Sequence, residues 1–571
     1  VFVRLSGATK AAIETSRPFV FGDVTLTPFV STRGRFGTAL GRGEARPKLQ
    51  GRVTRWHRRP GKLGLTVKVK SGSFGVVDAH LRLEGRQTDQ TIVVPATVHE
   101  NTVVAPNDQG RREFVISSCL DEDTWLKSVT KQDLFDAHLE LRFAGCAAPG
   151  SMRVSRANAI SRTRLPAALF NNGVNAGELR AYRTYRQGLI SFEFRPLHPR
   201  ALNSVRWATL LGPYLRMRSI RRPVWLVGDR LSTAQDNGLE FYRHLRREVP
   251  DVDARYVIDG NSPDLPNVTP TEGVVLAGTK EHVQAALSAR RIFGTHHLDY
   301  LLPVRSGPFQ RAVRAKRIFL QHGIMGTKNL VAMYGYDSPT FQAEAFIVSS
   351  ERERNMIIDD FGWPADRVHA TGLARFDRLF AEHPPPEPTL LILPTWRDWL
   401  KNDQDVAKSE YLERWVSLLK SERFARFLDD HGLTADLYLH YNMQPFAERF
   451  ASDHVRILKL GEVPVQDLLI RSQILLTDYT SAALDFSFLD RPIVYYQFDR
   501  SRFIGPRPSH FALDRELGER GLPAVGTDGG EACGAIVGVS HLRPLPRDRR
   551  RPRARRRPRR GRWWQARPAW W

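Results

Sequence analysis

Two patterns of hydrophobic and polar residues divide the chain. From 1 to about 199 the dominant period is two. Leu65, Val67 and Val69 alternate with Thr66, Lys68 and Lys70, Leu81 and Leu83 with Arg82 and Glu84, and Leu139, Leu141 and Phe143 repeat the pattern. That period predicts half-buried antiparallel strands and a β-rich, sandwich-like accessory region. Asp78-Ala79-His80-Leu81 recurs as Asp136-Ala137-His138-Leu139, a hint of a duplicated hairpin. From 224 onward, short apolar runs alternate with helical patterns. Strands are predicted at 224–227, 254–258, 273–277, 317–320 and 345–348, with helices that include 238–247 and 281–289. After the Pro-rich bridge 383–388 the alternation restarts, with strands at 389–393, 437–439, 455–458, 474–476 and 493–496. Repeated βαβ units imply parallel, doubly wound sheets. Two such domains, 224–382 and 389–526, joined by a stiff linker would leave a cleft between facing strand ends.

The stretch 474–498 shows this pattern most compactly. Ile474, Leu475 and Leu476 end at Thr477-Asp478, a small-residue turn Tyr479-Thr480-Ser481 follows, and Ala482, Ala483, Leu484 and Phe488 take helical spacing. Thr480 or Ser481 can cap that helix. The stretch reads either as a phosphate cradle of free backbone N–H groups or as an ordinary strand-turn-helix of an α/β core. Residues 200–223 form a connector in which Val205, Trp207, Leu210, Leu211, Tyr214, Leu215, Met217 and Ile220 mix with Arg206, Arg216, Arg218, Arg221 and Arg222, uninterrupted by any acid over 202–222. Such a segment suits an anionic membrane surface, with Pro213 splitting it into two pieces. It suits equally an inter-domain helix packed on the protein itself.

Composition changes this picture at the ends. The formal net charge of +24 favours an anionic partner, but the basic excess is concentrated. Between Arg543 and Arg567 stand 13 arginines against a single acid, Asp548. This Arg- and Pro-rich tail, 527–571, cannot bury a core and is expected to be disordered. No specific nucleic-acid partner is expected, because the body carries no recognised nucleic-acid module. Cys119, Cys146 and Cys533 form no CxxC pair, which fits a reducing compartment. No apolar run reaches the length of a membrane span. The start, Val1-Phe2-Val3-Arg4, reads as a cut from a longer chain.

Candidate chemistry gathers at predicted strand ends, where doubly wound folds bind ligands. His322 and Gly323 follow one strand, and a His there can exchange a proton near neutral pH. Arg397 and Asp398 follow a second, with Arg397 a candidate bidentate phosphate clamp. His440 follows a third, and Asp478, Thr480 and Ser481 follow the fourth. Asp121-Glu122-Asp123 could bind a metal but reads better as a solvated acidic turn. The cleft shows no convincing carboxylate pair, so charge neutralisation there is expected from protein groups, with no metal and no cofactor.

These motifs, in this order, resemble the CDP-glycerol glycerophosphotransferase family of teichoic acid polymerases and primases. Trp225-Leu226-Val227-Gly228-Asp229-Arg230 with Gln235-Asp236-Asn237-Gly238 looks like the family's opening strand and RxxxARDNG segment. Gln321-His322-Gly323 resembles its HG motif, although Ile324-Met325-Gly326-Thr327-Lys328 departs from the usual TPLK continuation. Pro394-Thr395-Trp396-Arg397-Asp398 matches PTWRD, and Thr477-Asp478-Tyr479-Thr480-Ser481 is similar to TDYSS. The likeness runs over roughly 224–522. It implies a GT-B-like pair of Rossmann domains that transfers glycerol phosphate from CDP-glycerol to a hydroxyl of a lipid-linked polyol phosphate or glycan acceptor. The work would be done at the cytoplasmic face of the membrane. His322 would be the base for the acceptor hydroxyl, and His440, Arg397, Thr480 and Ser481 would hold the diphosphate. CDP-ribitol and nucleotide-sugar donors remain the alternatives.

Overall fold

The computed structural model describes residues 19–21, 24–30, 36–41, 49–504 and 525–526. Within 49–504 it omits 72–75, 87, 89, 100–111, 144–148, 157–164, 185–187, 269–271, 326–329, 339–340, 398 and 401–402. The Arg-rich tail, Cys146, Cys533, Lys328 and Asp398 therefore lie outside the described residues. The chain divides into two compact units.

The first unit comprises Val1–Arg218 with Ala277–Ser288 and Leu302–Arg314. Its centre is one 11-stranded sheet, almost wholly antiparallel. Asp133–Phe143 shows how the period of two acts: its odd-numbered side chains are buried and its even-numbered ones partly or fully exposed. Trp56 lies edge-on to Phe192 at 6.2 Å although their strands are far apart in the sheet, so the sheet coils onto itself around one apolar core. The repeated Asp-Ala-His-Leu segments fall on neighbouring antiparallel strands, with Leu81 opposite Leu139. They are paired with each other and are not two copies of a hairpin. Asp121 caps the helix Glu122–Ser128 by accepting from Thr124 N, and Glu122 accepts from Asn171 N, so this acidic turn is structural.

Residues 302–314 are joined to the sheet by buried charges. Arg305 donates to Glu178 through its backbone and to Glu193 through its side chain, while Arg195 donates to Glu193 and to the Leu302 carbonyl. Burial opposes ionisation of Glu193, but Arg195, Arg305 and Arg180 outweigh it and hold the carboxyl well below its usual range. The predicted connector is two helices, Pro199–Arg206 and Ala208–Arg218. The break falls at Trp207 and Pro213 lies inside the second helix, contrary to the expected split at the proline.

The second unit carries two parallel sheets. In spatial order the first is Val274–Leu276, Asp253–Ile258, Val224–Gly228, Ala289–Gly294, Lys316–Phe319, Ala345–Val348 and Val368–Ala370. The second is Arg456–Leu458, Thr434–Tyr438, Glu387–Leu393, Ser472–Thr477, Ile493–Tyr496 and Val525–Gly526. In chain order each sheet runs 3-2-1-4-5-6, with one further strand on the first. The order reverses between strands 1 and 4, and loops leaving those two strands form the ligand crevice of a doubly wound sheet. The strand Ala289–Gly294 escapes the sequence pattern because Arg290 and Arg291 break its apolar run. Arg291 is accommodated over the Trp225 ring, 4.9 Å from its centroid. The last two linker residues, Glu387 and Pro388, are taken into the strand that follows.

Candidate active site

In the first sheet the switch-point loops carry Asp229-Arg230 after strand 1 and Thr295-His296-His297 after strand 4. His322 stands on the next strand end. Its position is enforced from several sides. Gln321 sits at φ 48°, a left-handed conformation costly for a residue with a side chain. Its carbonyl accepts from Asn237 Nδ2 at 2.8 Å and its side chain donates to Glu353 at 3.1 Å. Glu353 also accepts from the backbone N–H groups of Met325 and Ser349 at 2.6 Å each, so one buried carboxylate ties down both sides of the His322 turn. Gly238 lets the helix Asn237–Glu248 start against the strand end, since a Cβ there would lie 2.4 Å from Asp229 Oδ1.

The His322 ring is oriented by its neighbours. Nδ1 lies 3.2 Å from the Thr295 carbonyl, an acceptor only, so Nδ1 carries the proton and the lone pair is on Nε2. His296 stacks on it at 4.2 Å with the planes 15° apart. Burial, reinforced by His322 and Arg230, pushes the His296 pKa well below its ordinary value, so this partner is neutral.

In the second sheet the loop after Glu387–Leu393 carries Thr395, Trp396 and Arg397. The loop after Ser472–Thr477 carries Asp478 to Ser481. His440 stacks against Trp396 at 5.5 Å and Tyr441 at 4.3 Å. Its Nδ1 accepts from the Asn442 backbone N–H at 3.2 Å, so in the neutral ring the proton is on Nε2. The two histidines thus hold opposite tautomers, one with an acceptor at Nε2 and the other with a donor. Ser481 reaches toward the first sheet: a Cβ on Gly323 would lie 2.7 Å from its Oγ, so glycine admits this approach without the hydroxyl having to turn away. Ser481 begins the helix Ala482–Ser487 without a side-chain cap, and Thr480 Oγ1 accepts from Ala482 N at 3.3 Å instead.

Arg375 links the two sheets beneath His322. It donates to both oxygens of Asp485, at 2.6 and 3.0 Å, to Asp236 at 2.9 Å and to the His322 carbonyl at 3.0 Å. Burial opposes its charge, but the carboxylates of Asp485 and Asp236 outweigh it and raise its pKa.

A family model described as CDP-Glycerol:Poly(glycerophosphate) glycerophosphotransferase matches residues 214–517, more than half of the chain. The chain belongs to that family. A second model, the TarS beta-glycosyltransferase C-terminal domain 1, matches residues 48–194 within the β-rich unit. The minor teichoic acid biosynthesis protein GgaB of Bacillus subtilis is 26% identical over 310 residues, covering 52% of this chain and 33% of that protein. The teichoic acid poly(ribitol-phosphate) polymerase of Bacillus spizizenii is 26% identical over 184 residues, covering 29% and 28%. The chain therefore spans about a third or less of these two relatives. A solved structure of the wall teichoic acid polymerase TagF aligns at 14% identity and TM-score 0.40, covering 60% of this chain and 89% of that one.

Against the family's motifs, the structure brings some expected residues together and withdraws others. Gly323 meets Ser481, and the Trp396 of PTWRD supports His440. Arg397 is placed differently from the exposed clamp that the motif suggested. It is fully buried, paired with both oxygens of Asp499 at 2.7 and 2.9 Å and with Asp478 at 2.9 Å, and enclosed by the rings of Tyr411, Tyr479, Phe498 and Phe503. Its donors are committed to loop structure, so it does not present the exposed phosphate fork expected of it. Asp478 is likewise buried, accepting from Thr395 N and Tyr479 N and pairing with Arg397. Sequence reasoning missed His296, Glu353 and Arg375. Only the His296-His297 doublet left a signal, and it followed the strand that the pattern concealed.

Proposed function

We propose that this chain transfers a polyol phosphate, glycerol phosphate in the first instance, from its CDP-linked donor to a hydroxyl of a teichoic-acid-like polymer or its lipid-linked primer. CMP is released. The two doubly wound sheets would act as a GT-B-like pair. His322 Nε2 takes the proton of the acceptor hydroxyl as its oxygen bonds to the β-phosphorus. The bond from that phosphorus to the bridging oxygen breaks, and the electron pair leaves with CMP. His440 donates Nε2–H to a diphosphate oxygen, and Ser481 offers an uncapped hydroxyl beside Gly323. Positioning and charge stabilisation of this kind carry phosphoryl transfer. The observation that supports this reading best is the pair of opposite tautomers on strand ends of the two sheets, one suited to a base and one to an anion partner. The ribitol donor is a second reading, favoured by the likeness to a poly(ribitol-phosphate) polymerase. Incubation with CDP-glycerol, CDP-ribitol and nucleotide sugars in parallel, following CMP release and product mass, tests the proposal. Turnover of nucleotide sugars alone would overturn it.

The same reading places the protein on the cytoplasmic face of an anionic membrane. No helix among the described residues is long and apolar enough to cross one. In the helices Pro199–Arg206 and Ala208–Arg218, Arg216 turns inward to the carbonyls of Leu287 and Ala312, whereas Trp207, Leu210, Tyr214 and Met217 are all at least half exposed. Leu210, Tyr214 and Met217 share one face of the second helix, with Trp207 beside them at the break and the exposed Arg206 and Arg218 flanking them. Aromatic and aliphatic side chains bordered by arginine match an interfacial, anion-attracted surface.

A further inference from the structure

With Arg397 committed to Asp499 and Asp478, the cleft needs another cation for the two charges of a diphosphate donor. Arg230 has the required position. It follows the first strand, Val224–Gly228, at the switch point of the first sheet, and is half-buried. On one side its guanidinium lies 4.8 Å from the centroid of the Tyr441 ring, and that ring packs on His440. On the other side its charge is felt by His296, which stacks on His322. It is thus the side chain connected to both histidine clusters.

The carboxylates near it are occupied. Asp229 faces inward, accepting from Gly238 N, Asp236 N, Gln235 N and the Tyr256 hydroxyl. Asp236 is taken by Arg375. Among the described residues Arg230 forms no ion pair. A guanidinium laid on an aromatic face keeps its N–H edge available, and that planar fork matches two phosphate oxygens. Arg230 is close enough for its charge to favour the ionised form of Asp236, but it makes no ion pair with that carboxylate, so this half-buried arginine at the switch point can still take an anion.

We propose that Arg230, seated on Tyr441, binds the non-bridging oxygens of the phosphoryl group being transferred, and so lies between His322 and His440 in the loaded enzyme. This rests on the functional reading above and adds to it a residue that the first sheet contributes to the donor. It also gives Tyr441 a role, as the platform that ties donor binding to the approach of the two sheets.

The test separates the transferred phosphoryl group from the rest of the donor. CDP-glycerol contains it and CMP does not. Arg230→Gln, Arg230→Lys and the wild type are titrated with CDP-glycerol, CDP-ribitol and CMP by calorimetry, with thermal unfolding recorded for each. Arg230→Gln is expected to bind the accepted CDP-polyol about 10- to 100-fold more weakly, the range for losing hydrogen bonds to a charged group. Its affinity for CMP should change by less than about threefold, because CMP lacks the group contacted. Arg230→Lys keeps the charge without the fork and should fall between Gln and wild type, which holds the proposal open to refutation even if Arg230→Gln does not fold. Normal CDP-polyol affinity in the variants, or equal losses for CMP and CDP-polyol, overturns the assignment of Arg230. A wild-type protein that binds neither CDP-polyol overturns the functional reading itself.

Discussion

Replacing Arg397 by Met distinguishes a loop keystone from a phosphate clamp. The substitution keeps an unbranched apolar stem among Tyr411, Tyr479, Phe498 and Phe503 but removes the guanidinium from Asp499 and Asp478. Asp478 is completely buried and Asp499 nearly so, so both carboxylates are left without their cation in a dry site. Removing one partner of a buried pair costs about 3–5 kcal/mol, and the lost ring contacts do not add simply to that. With a urea slope of about 3 kcal/mol per M, the unfolding midpoint should fall by about 1 to 1.7 M. Urea titration followed by tryptophan fluorescence measures this directly, since Trp396 and Trp399 flank the site. Changing Asp478 and Asp499 to Asn in the same chain should recover part of the loss, because the uncompensated charges are then gone. An Arg397→Met protein with a wild-type midpoint and abolished donor binding would refute the reasoning and return Arg397 to the ligand.

Two further outcomes follow from named contacts. His296 is half-buried and desolvation depresses its pKa, so the unfolded chain, at about 6.5, takes up a proton first as pH falls. The stability His296 contributes is therefore present above about pH 6.5 and is lost as pH drops toward its lower folded value; His296→Phe, which keeps a stacked ring, should show a smaller fall in unfolding temperature between pH 7.5 and 5.5 than the wild type, and equal falls would refute this. The protein should bind vesicles containing anionic phospholipid, less well at high salt, and replacing Arg206 and Arg218 by Gln with Trp207 and Leu210 by Ser should weaken binding at least tenfold, each arginine contributing about 1 kcal/mol; unchanged binding would make these helices purely structural.

The parallel strands were legible because a strand buried on both faces needs a continuous apolar run, and 224–227, 345–348 and 493–496 supply one. The strand Ala289–Gly294 was not, because one of its two arginines is absorbed by a ring 66 positions earlier in the chain. The coiling of the β-rich sheet was equally invisible, since alternation marks which face of a strand is buried and not which strand covers it. Within the site, His322 and His440 could be singled out because strand ends are where doubly wound sheets bind ligands. Arg397 looked like a clamp because an arginine in a motif shows its charge but not its partner, and Asp499 lies 102 positions away. Arg375 and Glu353 escaped for the same reason: each draws on groups distant in the chain, and no local spacing announces them.

The separate roles of the two histidines are tested most directly by single-turnover transfer and donor titration on His322→Ala and His440→Ala at matched pH. If His322 is the base, His322→Ala loses about 100- to 10,000-fold in transfer while binding CDP-glycerol almost normally. His440→Ala should weaken donor binding as well as slow transfer. Near-normal transfer by His322→Ala, or loss of donor affinity in that variant alone, would contradict the account.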